Sequence, residues 1–171
     1  GMKQKLALIC TLINTPPLIL LDEPTTGVDP VSRSDFWKIL SELHKSGITI
    51  LVNISYLNEA ERCSRVAFMD RGEFLAVDEP SKLKENMKER IIDIYVNDMN
   101  RAFRVLDSDD SLLSIQFLGN RISVTVDRET EVESMIEKLS KLGVEIKRWE
   151  EAKPSLENVF ISLMRGENID E

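Results

Sequence analysis

LILLDEPTTGVDP, residues 18–30, sets an unbroken apolar run directly against two adjacent carboxylates. An apolar run bounded by prolines, here Pro17 and Pro24, suits a strand buried on both faces of a sheet. Asp22 and Glu23 then fall at its carboxyl end, the edge where open α/β sheets bind ligands. From that edge Asp22 can hold Mg²⁺, directly or through water, and Glu23 can orient and deprotonate a water that attacks a γ-phosphate. Asp-Glu-Pro also reads as an ordinary polar turn after a buried strand, and the dipeptide alone does not separate the two readings.

The flanking residues support an α/β unit. Upstream, Met2, Leu6, Ile9 and Ile13 recur at helical spacing, so residues 2–13 read as an amphipathic helix with these four on the core side, ended by Pro16 and Pro17. Downstream, a helix is expected over 31–45 with Phe36, Leu40 and Leu43 on one face, stopped by Gly47. ITILVNI, 48–54, is a second buried strand, and strand, helix, strand in this order predicts a parallel βαβ unit. Gly27-Val28-Asp29-Pro30 reads locally as a turn that caps the helix. RVAFMD and EFLAVD around Arg71-Gly72 predict a hairpin that closes the first half with an antiparallel edge.

The second half repeats nothing of the first. Strands are expected at 91–96, on either side of Gly119-Asn120 and at 144–149. Helices are expected near 100–107, over 130–142 with Val132, Ile136, Leu139 and Leu142 inward, and over the tail PSLENVFISLM, with Pro154 or Ser155 at its start. The order is βαββαβ, that of a small α+β ferredoxin-like domain. A boundary near 88 is marked by the polar run 81–90 and by charge. Residues 1–88 carry 11 basic and 12 acidic side chains, and 89–171 carry 11 and 18.

The net charge of −8 and the lack of a Lys/Arg-rich run argue against a nucleic-acid groove. No apolar stretch approaches the roughly 20 residues needed to cross a bilayer. Cys10 and Cys63 lie in no metal-ligand spacing, which fits free thiols in a reducing compartment, the cytoplasm.

GMKQKL, LILLDEPTTGVDP and TILVNISYLNEAE follow one another in the order and at about the spacing of the signature, Walker B, D-loop and switch regions of the ATP-binding cassette (ABC) family, and residues 1–88 resemble that family. The resemblance implies the carboxy-terminal part of a P-loop NTPase parallel sheet, ATP and Mg²⁺ as ligands of the intact subunit, and an ABC-type ATPase that powers export. Glu23 would be the general base, Asp22 the magnesium ligand, and Gly1, Met2, Lys3 and Gln4 the signature facing the γ-phosphate of ATP on a second ATPase subunit. Gly27 and Asp29 would form the D-loop that couples the two ATP sites. Gly1 also reads as a flexible terminus.

Ser55 stands where the family has a histidine, and a weakened or asymmetric hydrolytic site is expected. Ser55 reads two ways, as a γ-phosphate contact through water or as the N-cap of a helix starting at Tyr56. His44, the single histidine, reads as a solvated helix-terminal residue.

KPSLENVFISLM resembles the tail of the drug, antibiotic and lipid exporter branch, whose accessory domain would span 89–171. Partners implied are a separate transmembrane subunit and a second ATPase subunit, with the protein peripheral at the inner face of the membrane. No G-x-x-x-x-G-K-[ST] loop occurs in 1–171, so the fragment alone is not expected to bind ATP well. Strand 48–54 would have an open edge, so self-association or membership of a longer chain is expected. The competing classes are a regulatory or assembly module and a truncated gene product.

Overall fold

The computed structural model describes residues 2–14, 16–107 and 112–166. The chain is α/β and separates into two compact units, residues 1–63 and 64–171.

In the first unit α1 (Met2–Leu12) leads to β1 (Leu18–Asp22), α2 (Pro30–Lys45), β2 (Thr49–Asn53) and the short α3 (Leu57–Ala60). β1 and β2 pair in parallel with Leu18 opposite Thr49 and Asp22 opposite Asn53, as the βαβ reading requires. Pro30 opens α2 where no N–H is needed, and Gly47, at φ 96°, takes the left-handed conformation that ends it. The core gathers Leu8, Ile19, Phe36, Trp37 and Leu40, with Cys63 packed beside them.

Two burial expectations are not met within this chain. The stripe Met2, Leu6, Ile9 and Ile13 is the exposed side of its segment, and Leu8 turns inward instead. Within this chain Leu18, Leu20 and Leu51 are exposed while Ile19 is buried, so residues of this chain cover one face of β1 and β2. A run of apolar residues specifies a strand but not how many of its faces find a partner.

The second unit begins with β3 (Val66–Asp70) and β4 (Glu73–Asp78), joined through Arg71 at φ 45° and Gly72 at φ 90°, the two positive values of a two-residue hairpin turn. Among the described residues this hairpin is a separate two-stranded sheet, without the added edge on the first half that the sequence suggests. The polar run after it is partly helical: α4 (Pro80–Glu85) forms there and buries Leu83.

β5 (Arg90–Val96), α5 (Met99–Leu106), β6 (Leu112–Leu118), β7 (Arg121–Val126), α6 (Val132–Lys141), β8 (Ile146–Ala152) and α7 (Leu156–Gly166) follow. The four strands form one antiparallel sheet in the order β6-β7-β5-β8. Ile92, Ile94, Ile122, Val124 and Val126 share one face and pack with Ala102, Leu106, Val132, Met135 and Leu139 of α5 and α6. The opposite face carries buried polar residues, Asp93, Ser123 and Thr125, beside the buried Ile91. Asn158 of α7 reaches Gln116 of β6 on that face at 3.5 Å.

Ser155 caps α7. Its hydroxyl accepts the Asn158 N–H at 3.2 Å while the Asn158 side-chain oxygen accepts the Ser155 N–H at 2.9 Å, a reciprocal capping box. Leu142 is 48% exposed, not inward, because α6 stops at Lys141 and the chain turns so that Val144 is buried in its place. Gly143 makes that turn at φ 78°, and a side chain there would meet the Arg101 guanidinium at 2.4 Å.

Candidate functional site

The parallel register places Asp22 beside Asn53, and the Asn53 amide donates to Asp22 Oδ1 at 2.7 Å. The next residue departs from strand geometry. Glu23 adopts φ 43°, a left-handed backbone that costs a non-glycine residue about 1–3 kcal/mol and persists only when its surroundings enforce it. Those surroundings are on hand: the Glu23 N–H donates to Asn53 O at 2.9 Å, and Thr26 donates both its N–H to Glu23 O at 3.2 Å and its hydroxyl to Glu23 Oε2 at 2.9 Å. The Ser55 hydroxyl donates to Glu23 Oε1. Both carboxylates stay exposed at the carboxyl end of β1.

Ser55 is therefore no helix cap. The N-cap position of α3 is Tyr56, which makes no side-chain capping bond, and the Ser55 hydroxyl instead meets a charged acceptor, the stronger partner.

Below this surface pair sits a buried one. Glu59 is 3% exposed and its Oε2 accepts from the Thr25 hydroxyl at 2.7 Å and from the Trp37 indole at 2.8 Å. Arg33 Nε lies 3.2 Å from Glu59 Oε1, out of hydrogen-bond alignment and so an ion pair, and the guanidinium stacks 4.7 Å over the Tyr56 ring. Cys63 is half-buried nearby, and burial, then the charge of Glu59, pushes its thiol above the usual range.

Asp29 ends the loop. Its carboxylate accepts the Ser32 N–H at 2.9 Å and caps α2, while Gly27 holds φ 71°. That backbone bond to Ser32 is the main cause holding the Asp29 carboxyl below 3.8, the ordinary value. A carboxyl lowered on folding stabilises the fold above its unfolded value and ceases to as pH falls through the folded one. Carboxyl NMR should give Asp29 a midpoint below 3.8, with the Ser32 amide shifting at the same pH. A midpoint at or above that value would remove the cap from the account.

Met2, Lys3 and Gln4 form the first turn of α1, and Gly1 lies outside the described residues. His44 is exposed in the last turn of α2, as expected. Sequence reasoning missed Asn53, Thr25, Thr26, Arg33, Trp37 and Glu59. Pairing the two strands residue by residue would have found Asn53.

The profile of the family described as "ATP-binding protein DrrA1-3-like, C-terminal domain" matches residues 79–164. The chain belongs to this family. It is the carboxy-terminal part of an ABC transporter ATP-binding protein of the drug-exporter branch. Among its relatives is the probable multidrug ABC transporter ATP-binding protein YbhF of Escherichia coli (strain K12), 33% identical over 100% of this chain and 29% of that protein. The daunorubicin/doxorubicin resistance ATP-binding protein DrrA of Streptomyces peucetius is 27% identical over 95% of this chain and 51% of its own length. The Nod factor export ATP-binding protein I of Rhizobium leguminosarum bv. viciae is 34% identical over 95% and 51%. The chain thus spans about a third to a half of these relatives. Among the described residues no helix is long and apolar enough to cross a membrane.

Proposed function

We propose that this chain supplies the Walker B, D-loop and switch elements of an ATP-hydrolysing subunit that powers export through a separate membrane subunit. The observation that carries the reading is the pair of adjacent carboxylates at the end of a parallel strand, one held by an amide and the other by two hydroxyls. Asp22 would hold Mg²⁺ together with phosphate oxygens and waters, which suits an ion that takes one or two carboxylates and comes with its nucleotide. Mg²⁺ would neutralise charge on the phosphates. Glu23 would accept the proton of the attacking water, with Thr26 and Ser55 fixing the direction of its carboxylate.

In this reading Gly1 to Gln4 act on ATP bound by a second ATPase subunit, and Asp29 couples the two sites. Residues 1–88 are the carboxy-terminal part of a P-loop sheet, and 89–171 an accessory domain. The strand order β6-β7-β5-β8, with α5 and α6 on one face, supports a ferredoxin-like arrangement for the latter. The subunit would sit at the inner face of the cell membrane, and the isolated chain would bind MgATP poorly.

Asn53→Ala tests the reading in the intact subunit. Losing the amide that holds Asp22 should raise the Mg²⁺ concentration for half-maximal ATP hydrolysis by roughly tenfold, as loss of a ligand's outer partner commonly does. An unchanged Mg²⁺ dependence would remove Asp22 from the metal site.

A further inference from the structure

We infer that Glu59 is a positioning residue for Glu23, acting through Thr25. The inference rests on the reading of Glu23 as the base. A buried carboxylate needs partners for its charge and lone pairs, and Glu59 finds them on separate segments. Thr25 belongs to the loop after β1, Arg33 and Trp37 to α2, and Glu59 itself to α3. Arg33 also donates from Nη2 to Val28 O at 3.3 Å, so the same cluster grips the loop at both Thr25 and Val28.

Thr25 lies two residues beyond Glu23 and is 1% exposed, the most buried residue of that loop. Glu23 sits in a strained left-handed backbone, at φ 43°, which relaxes if its surroundings loosen. Its partners, the Thr26 and Ser55 hydroxyls, aim its carboxylate but are exposed, so water competes with them as it does not with a buried bond. The fixed point beneath the loop is the bond from the Thr25 hydroxyl to a charged acceptor in the interior, which is shorter and stronger than a neutral one. Glu59 thereby sets where the Glu23 carboxylate stands without touching nucleotide itself.

Thr25→Val and Thr25→Ser separate this role from bulk stability. Valine keeps the shape and leaves Glu59 with Arg33 and Trp37, while serine keeps the hydroxyl. In the intact subunit Thr25→Val should lower kcat by roughly 10-fold to 100-fold, the scale of a base displaced by about an ångström, with KM for MgATP unchanged. Thr25→Ser should stay close to wild type. In the chain itself, the Glu23 carboxyl NMR signal should move in Thr25→Val and not in Thr25→Ser. An unchanged kcat and an unmoved Glu23 signal in Thr25→Val would overturn the inference, and so would a loss that serine fails to restore. Glu23→Gln is run alongside. If it leaves turnover intact, the base assignment fails, and the Glu23 signal alone then decides whether Glu59 positions that side chain.

Discussion

Glu23→Gln should lower ATP turnover of the intact subunit by roughly 10²-fold or more while MgATP affinity stays within a factor of about two, because general-base catalysis contributes on the order of 10²–10⁴. The substitution is well matched to the site. A glutamine side-chain oxygen still accepts from the Thr26 or Ser55 hydroxyl, so the loop geometry keeps its support. What is lost is the ability to take a proton from water. Steady-state kcat together with equilibrium nucleotide binding decides the matter, and a variant that turns over at the wild-type rate removes Glu23 from the reaction.

The second large effect lies in the accessory sheet, where Asp93 is buried on the polar face. Its cross-strand neighbours are Ser123 on β7 and Glu150 on β8, and its counter-charge is Arg121, with Nε 2.6 Å from Oδ2. Removing the guanidinium leaves Asp93 desolvated with a second carboxylate opposite it. Taking one partner from a buried ion pair costs about 3–5 kcal/mol, a large share of the ~5–15 kcal/mol that holds a domain together. Arg121→Met should therefore destabilise this sheet by about 3 kcal/mol, at the low end because the arginine side chain is 35% exposed.

Adding Asp93→Val should restore most of the loss, since an apolar pair of similar volume replaces the ions at little cost. Urea-dependent hydrogen exchange of the β5 amides measures this sheet separately from the other unit. A single variant that loses less than about 1 kcal/mol, or a double variant no better than the single, would show that the pair is not what holds that face.

The elements themselves were legible because period, prolines and glycines act locally. LILLD and TILVN announce strands, Asp29-Pro30 and Gly47 bracket α2, and Arg71-Gly72 turns a hairpin. Which faces are covered was not legible, since burial depends on partners that no local period encodes. Leu18, Leu20 and Leu51 and the stripe of α1 are examples: apolar by period, yet exposed within this chain. The candidate carboxylates could be read from position at a strand end. Their supports could not: a glutamate in LNEAE looks like any solvated helix acid, and only the fold reveals it to be surrounded by Thr25, Arg33 and Trp37. Neither reading of Ser55, as a phosphate contact or as a cap, foresees its bond to Glu23, because only the fold brings together side chains 32 positions apart.

The burial of Cys63 has a practical corollary for labelling. Thiolate, not thiol, attacks alkylating reagents, so a half-buried cysteine beside the Glu59 charge ionises less readily and reacts more slowly. Cys10 is exposed on α1. A maleimide dye or spin label applied near neutral pH should therefore mark the first helix faster than Cys63, without any cysteine being replaced.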